Sequence, residues 1–153
     1  MDQTLVDRMR SYLDAGLAMD VEALDALYDP AFENVRCDEE GLAVTLTKDM
    51  FMSRFRALKA QGVSVGESVD DATFLTTSTY DGYGSVVMHR VKEGLPVLYT
   101  FVWRRDPQGG WGTLLREFTY EKDISHLVQM METAGATSTG APSAGATSAG
   151  ATS

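Results

Sequence analysis

Glu117 is the residue of this chain most readily turned to chemistry. It stands in Trp111–Tyr120, a strand-like run in which alternate residues share a face. With Trp103 paired near Thr113, that parity sets Glu117 among Thr113, Leu115 and Thr119, beside Tyr99 and Phe101 of the preceding strand. A carboxylate in apolar surroundings loses hydration of its charged form. Its pKa then rises toward neutrality, which suits general acid or base work, with Tyr99 or Tyr12 as hydrogen-bond partner. The other reading places Glu117 near the strand end, paired with Arg90 on the same face and closing a pocket rim.

Other reactive groups are sparse. His89 and His126 are the only histidines, and no His-x-x-x-His or carboxylate spacing accompanies them, so no metal site is expected. By strand parity His89 falls beside Leu98 on the face away from Glu117. Gly109-Gly110-Trp111-Gly112 reads as a turn, and with no phosphate-loop or Gly-x-Ser-x-Gly pattern no cofactor is expected. The net charge is −9, the pI is near 4.6, and no basic cluster exceeds Arg104-Arg105, so a nucleic-acid partner has no electrostatic footing. Cys37 stands alone, which rules out an intrachain disulfide. The first twenty residues form no basic-then-hydrophobic signal, and no apolar run nears the ~20 residues that span a bilayer, so a cytoplasmic protein away from membranes is expected.

The elements that position these residues follow from periodicity and punctuation. Leu5, Val6, Met9, Tyr12, Leu13 and Leu17 recur at helical spacing within Asp2–Met19. Asp20 suits the N-cap of a second helix lined by Leu24, Leu27 and Tyr28 and closed by Pro30. Phe32–Cys37 and Leu42–Thr47 flank Asp38-Glu39-Glu40-Gly41 as a small hairpin with Val44 and Leu46 on one face. Thr47 caps a third helix whose stripe is Phe51, Phe55 and Leu58, and Gly62 supplies a left-handed exit. Strands are then predicted over Val63–Val69, Ala72–Tyr80 and Ser85–Lys92. They precede a central hairpin, Val97–Arg105 and Trp111–Tyr120, reversed by Asp106-Pro107-Gln108-Gly109-Gly110. Helices segregated against an antiparallel sheet define the α+β class. Lys122–Met131 closes the fold as a helical turn or coil packed by Ile124, Leu127 and Met130. With 153 residues, 44% of them hydrophobic, one domain over residues 1–132 is large enough to bury a core. Residues 134–153 are four pentads, AGATS, TGAPS, AGATS and AGATS, without charge or large apolar side chains. A disordered low-complexity tail over 133–153 is expected because nothing there offsets the entropy of ordering it.

Two runs stand out, Asp20-Val21-Glu22-Ala23-Leu24-Asp25-Ala26-Leu27-Tyr28 with Pro30 and Phe32, and Phe101-Val102-Trp103-Arg104-Arg105-Asp106 with Gly110-Trp111. Through them the chain, over roughly residues 3–131, resembles the nuclear transport factor 2-like superfamily, which includes ketosteroid isomerases and SnoaL-like cyclases. The resemblance implies a cystatin-like, cone-shaped curved antiparallel sheet wrapped around three N-terminal helices, with an apolar pocket at the open end. That pocket would be lined by Met9, Tyr12, Tyr28, Phe55, Met88, Tyr99, Phe101, Trp103 and Leu115, with Glu117 as its catalytic candidate. The isomerase roles themselves are vacant. Met9 stands at the tyrosine donor's position, Asn34, Val35 and Arg36 stand near the general base unless it slips to Glu33 or Asp38, and Phe101 or a neighbour stands at the second acid. The resemblance therefore implies a pocket for a small hydrophobic molecule, as a SnoaL-like acid/base enzyme or as a non-catalytic binding or dimeric module. A homodimer is expected through the outer sheet face, where Leu98, Val102, Leu114 and Phe118 form an apolar stripe, the competing placement being under a helix.

Overall fold

The structure, a computed structural model, describes residues 1–64 and 68–135. Helix α1 (Gln3–Leu17) starts at Asp2, whose carboxylate accepts from the Thr4 and Leu5 amides, and Met19 turns the chain at a φ of 52°. Asp20 caps α2 (Val21–Leu27) by accepting from the Ala23 amide. Tyr28 is not part of this helix: the chain is extended there and β1 (Tyr28–Asp38) begins at once, with Tyr28 opposite Leu114. Pro30 lacks an N–H and pushes the residue before it out of helical backbone, which favours the immediate switch. Strand β2 (Ala43–Thr47) pairs antiparallel with β1 and turns Val44 and Leu46 inward. Thr47 caps α3 (Lys48–Ala60), whose fully buried residue is Met52, with Phe51 and Phe55 half-buried beside it. Gly62, at a φ of 71°, takes the left-handed exit.

The strand expected over Val63–Val69 does not form at its described ends: Val63 and Ser64 are irregular, Val69 lies in a bend, and residues 65–67 lie outside the described part. Short apolar alternation without a partner strand is not enough to fix a ladder. Four long strands follow: β3 (Thr73–Tyr80), β4 (Tyr83–Lys92), β5 (Leu95–Arg105) and β6 (Trp111–Glu121). They form an antiparallel meander, with Asp81 and the Glu93-Gly94 pair at positive φ in the reversals. The curved, open sheet has the order β2-β1-β6-β5-β4-β3. It is α+β as expected but mixed in direction, because β1 lies parallel to β6. No sequence-adjacent turn joins those two strands, so nothing local specified their relative direction.

One irregularity moves the site. Phe101 faces Glu117 and Val102 faces Arg116, yet Trp103 faces Leu114, which leaves Leu115 as the extra residue of a bulge in β6. Leu114 is therefore fully buried with Trp103, whereas Leu115 is half-buried and outside that cluster. Strand parity carried unbroken through β6 gives the opposite assignment for both leucines. The core is packed by Leu5, Met9, Leu24, Tyr28, Phe32, Met88, Phe101, Trp103 and Leu114, each burial contributing about 1.5–3 kcal/mol for the large side chains. Helix α4 (Ser125–Gly135) is longer than a turn and reaches into the first pentad. Ile124 and Leu127 pack on Val44 with Val128 and Met131 alongside, while Met130 is exposed. The remaining tail, 136–153, lies outside the described residues.

Candidate functional site

Glu117 is anchored from two sides on the helix-facing surface of β6. Tyr12, one turn beyond Met9 on α1, donates its hydroxyl to Glu117 Oε1 at 3.0 Å and shares a 2.8 Å hydrogen bond with the Tyr28 hydroxyl. From β1, Asn34 donates Nδ2 to Glu117 Oε2 at 3.0 Å, and it lies within hydrogen-bonding distance of the Glu117 carbonyl and Thr119 Oγ1. Glu117 is 6% exposed and Asn34 and Thr119 are wholly buried. The parallel β1–β6 register makes this possible by setting Asn34 opposite Glu117.

Burial pushes the Glu117 carboxyl above the ordinary carboxylate range, and it does so against the Arg36 guanidinium and the Tyr12 hydrogen bond, both of which favour the charged form. The phenols move the same way. Burial and the nearby Glu117 hold Tyr12 and Tyr28 well above the usual range, and Tyr99 is pushed up to about 12, mainly by burial. All three tyrosines thus keep their protons at neutral pH. Asn34 Oδ1 is buried without a partner among the described residues, so the amide retains one acceptor beside the carboxyl.

Beside this network lies a cavity of about 160 Å³. Tyr12, Leu13, Gly16 and Leu17 of α1 form one wall and Leu24 of α2 and Phe55 of α3 another, with Ser68, Val69 and Arg90 completing the described lining. Of the residues expected to line a pocket, Tyr12 and Phe55 do. Met9, Tyr28, Met88, Phe101 and Trp103 are instead packed in the core, where the Trp103 indole N–H donates to Met9 Sδ at 3.2 Å. Tyr99 is half-buried, stacked on Phe101 at 5.8 Å, and makes no hydrogen bond to Glu117 among the described residues. Leu115 is turned away by the bulge. Glu117 is separated from the cavity by Tyr12, and it does not pair with Arg90. That guanidinium binds Asp71 at 2.8 Å, because the two inward residues lie two rows apart: Glu117 opposite Phe101, Arg90 opposite Val97.

Sequence reasoning missed Leu13, Leu17 and Leu24 as cavity walls, since an apolar helix stripe reads the same whether it fills a core or borders a gap. Asn34 was visible at the place where a general base was sought, yet its partner across the sheet was not. His89 lies on the outer face opposite Leu98. Among the described residues there is no cluster of His, Cys, Asp or Glu suited to a metal ion and no helix long and apolar enough to cross a membrane.

No protein-family model and no curated protein matches the sequence. Solved structures do match the fold. A nuclear transport factor 2-like protein of unknown function from Silicibacter pomeroyi DSS-3 is 13% identical, covers 78% of this chain and 94% of its own, and superposes with a TM-score of 0.61. A second such protein, from Shewanella baltica OS155, is 10% identical over 79% of this chain and 93% of its own, at 0.59. A ketosteroid isomerase-like protein from Erwinia carotovora atroseptica SCRI1043 is 16% identical over 79% and 95%, at 0.51. The chain therefore has the nuclear transport factor 2-like fold, as the residues of its second helix and closing hairpin implied.

Proposed function

We propose that the chain binds a small hydrophobic molecule in the α1–α2–α3 cavity and that Tyr12 and Glu117 form an acid/base pair at its inner wall. One observation carries this reading: Tyr12 both lines the cavity and hydrogen-bonds a buried carboxyl. When Glu117 holds a proton it can donate to the Tyr12 oxygen, and the Tyr12 hydrogen becomes free for a ligand oxygen. Transfer along the chain moves one proton from Glu117 to Tyr12 and one from Tyr12 to the ligand, and the return step reverses both. A carbonyl at Tyr12 on a small polyketide-like or similar skeleton fits such chemistry.

A non-catalytic binding module is the second reading, favoured by the sealing of Glu117 behind Tyr12. Native mass spectrometry of the purified chain tests binding. An apolar adduct is expected, and Gly16→Leu, a substitution in the cavity wall at a position with open space around its Cβ, should expel it. Absence of any adduct or added hydrophobic ligand overturns the pocket. With a substrate in hand, Glu117→Gln separates the two readings: lost turnover with retained binding supports the acid/base pair, and unchanged turnover refutes it.

The outer sheet face supports a homodimer. Leu98 and Tyr120 are exposed there and Val102 and Phe118 half-buried, while Leu114 is withdrawn into the core. A monomer in light scattering at micromolar concentration would overturn it.

A further inference from the structure

Among the described residues the cavity wall has one cationic group, and that group is clamped by its neighbours. Arg90, near the end of β4, donates Nε and Nη2 to Asp71 Oδ1 at 3.2 and 2.8 Å, and Nη2 also donates to the Ser68 carbonyl at 2.6 Å. Asp71 is fixed in turn, since the Val91 amide donates to its Oδ2 at 3.1 Å. Among the described residues Nη1 has no acceptor, so two N–H groups of this clamped guanidinium of the cavity wall have no partner there. The Asp71 side chain is 37% exposed against 23% for Arg90, so water and salt screen the carboxylate more than the guanidinium. The described walls facing Arg90 are Leu13, Leu17, Leu24 and Phe55.

We infer that the cavity selects small apolar carboxylates, with the hydrocarbon body on those four side chains and one carboxylate oxygen accepting from Arg90 Nη1. This rests on the pocket reading above and adds the ligand's class. The size of the enclosed part follows from the volume: an apolar cavity of about 150 Å³ takes benzene, so this space of about 160 Å³, open on one side, encloses one ring, or a chain of similar bulk, with the acid group at Arg90. Charge-assisted hydrogen bonds to a guanidinium are about twice as strong as neutral ones. Because Asp71 and Ser68 already immobilise Arg90, little side-chain entropy is lost when the anion binds. The net charge of −9 gives no long-range attraction for an anion, so recognition is confined to this contact. Asp71 acts as a positioning residue.

The test uses three ligands of one shape, benzoate, benzamide and toluene, titrated into the full chain while amide NMR shifts of Tyr12, Leu13 and Phe55 are followed. All three should move these signals, with benzoate binding at least tenfold tighter than benzamide. That advantage should shrink as salt rises and vanish in Arg90→Met, while toluene affinity stays within twofold. If toluene binds but benzoate is no tighter than benzamide, the carboxylate preference is overturned and the pocket stands. If benzoate keeps its advantage in Arg90→Met, the assignment to Arg90 is overturned. If none of the three moves the signals, the pocket reading falls and this inference with it. Should Arg90→Met not fold, the ligand comparison and salt dependence in the unsubstituted chain decide the matter.

Discussion

Replacing Glu117 by Gln should make the protein more stable than its parent at neutral pH but not at pH 4. The ordinary value for this carboxyl is 4.5, and burial raises it in the folded state. Between those two values the folded chain holds a proton that the unfolded chain has lost. Stability therefore falls as pH rises through this window and levels off above the folded pKa. A single group can impose a slope of at most about 1.4 kcal/mol per pH unit. Gln mimics the neutral acid: its carbonyl accepts from Tyr12, and rotation of the Asn34 amide turns the unpartnered Oδ1 toward the new NH2 group. Either protein then keeps one unpartnered polar atom of Asn34, Oδ1 in the parent and Nδ2 in the variant, so the variant should be within about 1 kcal/mol of the parent near pH 4. Its advantage should then grow with pH, at roughly 2–6 °C in melting temperature per kcal/mol for a domain of this size. Asp2, Asp29, Asp71 and Asp123 are held below their ordinary 3.8 and lose their contributions only as pH falls through lower values, so they do not enter this window. Thermal melts of both proteins every half unit from pH 4 to 8 give the difference curve directly. A flat curve would refute the burial argument for Glu117, and a variant that loses stability as pH rises would reverse its sign.

Three other outcomes follow from the packing. Tyr12→Phe leaves Tyr28 and Glu117 each short of a partner and should cost about 1–3 kcal/mol in urea unfolding; a loss under about 0.5 kcal/mol would mean that water replaces the hydroxyl. Gly84→Ala places a Cβ 2.6 Å from the Trp111 ring and 2.9 Å from Leu5, and should destabilise by about 1–3 kcal/mol through overpacking, against no change if both side chains shift freely. Deleting residues 136–153, which carry no charge and no large apolar side chain, should leave the melting temperature unaltered, and a drop of several degrees would show that the pentads pack.

The sequence by itself determined the local features. Asp20 and Thr47 cap helices because a short polar side chain before an apolar-periodic run satisfies free amides wherever it occurs. Asp81-Gly82 and Glu93-Gly94 reverse the chain because their backbones tolerate positive φ, and the long strands between them follow. Glu117 on the helix-facing side was legible from parity, since it is followed directly by Phe118 and Thr119 in unbroken register, with Thr119 on its own face. The tertiary structure decided what no short window contains. The bulge at Leu115 exchanged the roles of two adjacent leucines and set Leu114 against Trp103 of the neighbouring strand in the core. The parallel docking of β1 on β6 brought Asn34 to Glu117, and the placement of α1 gave that carboxyl Tyr12 as its partner in place of Tyr99 or Arg90. Caps and turns depend on neighbours a few residues away. A cavity, a buried pair and a strand's direction depend on groups 75 to 105 positions apart, as in Asp2 with Thr77 and Tyr12 with Glu117, whose meeting is set only when the whole core packs.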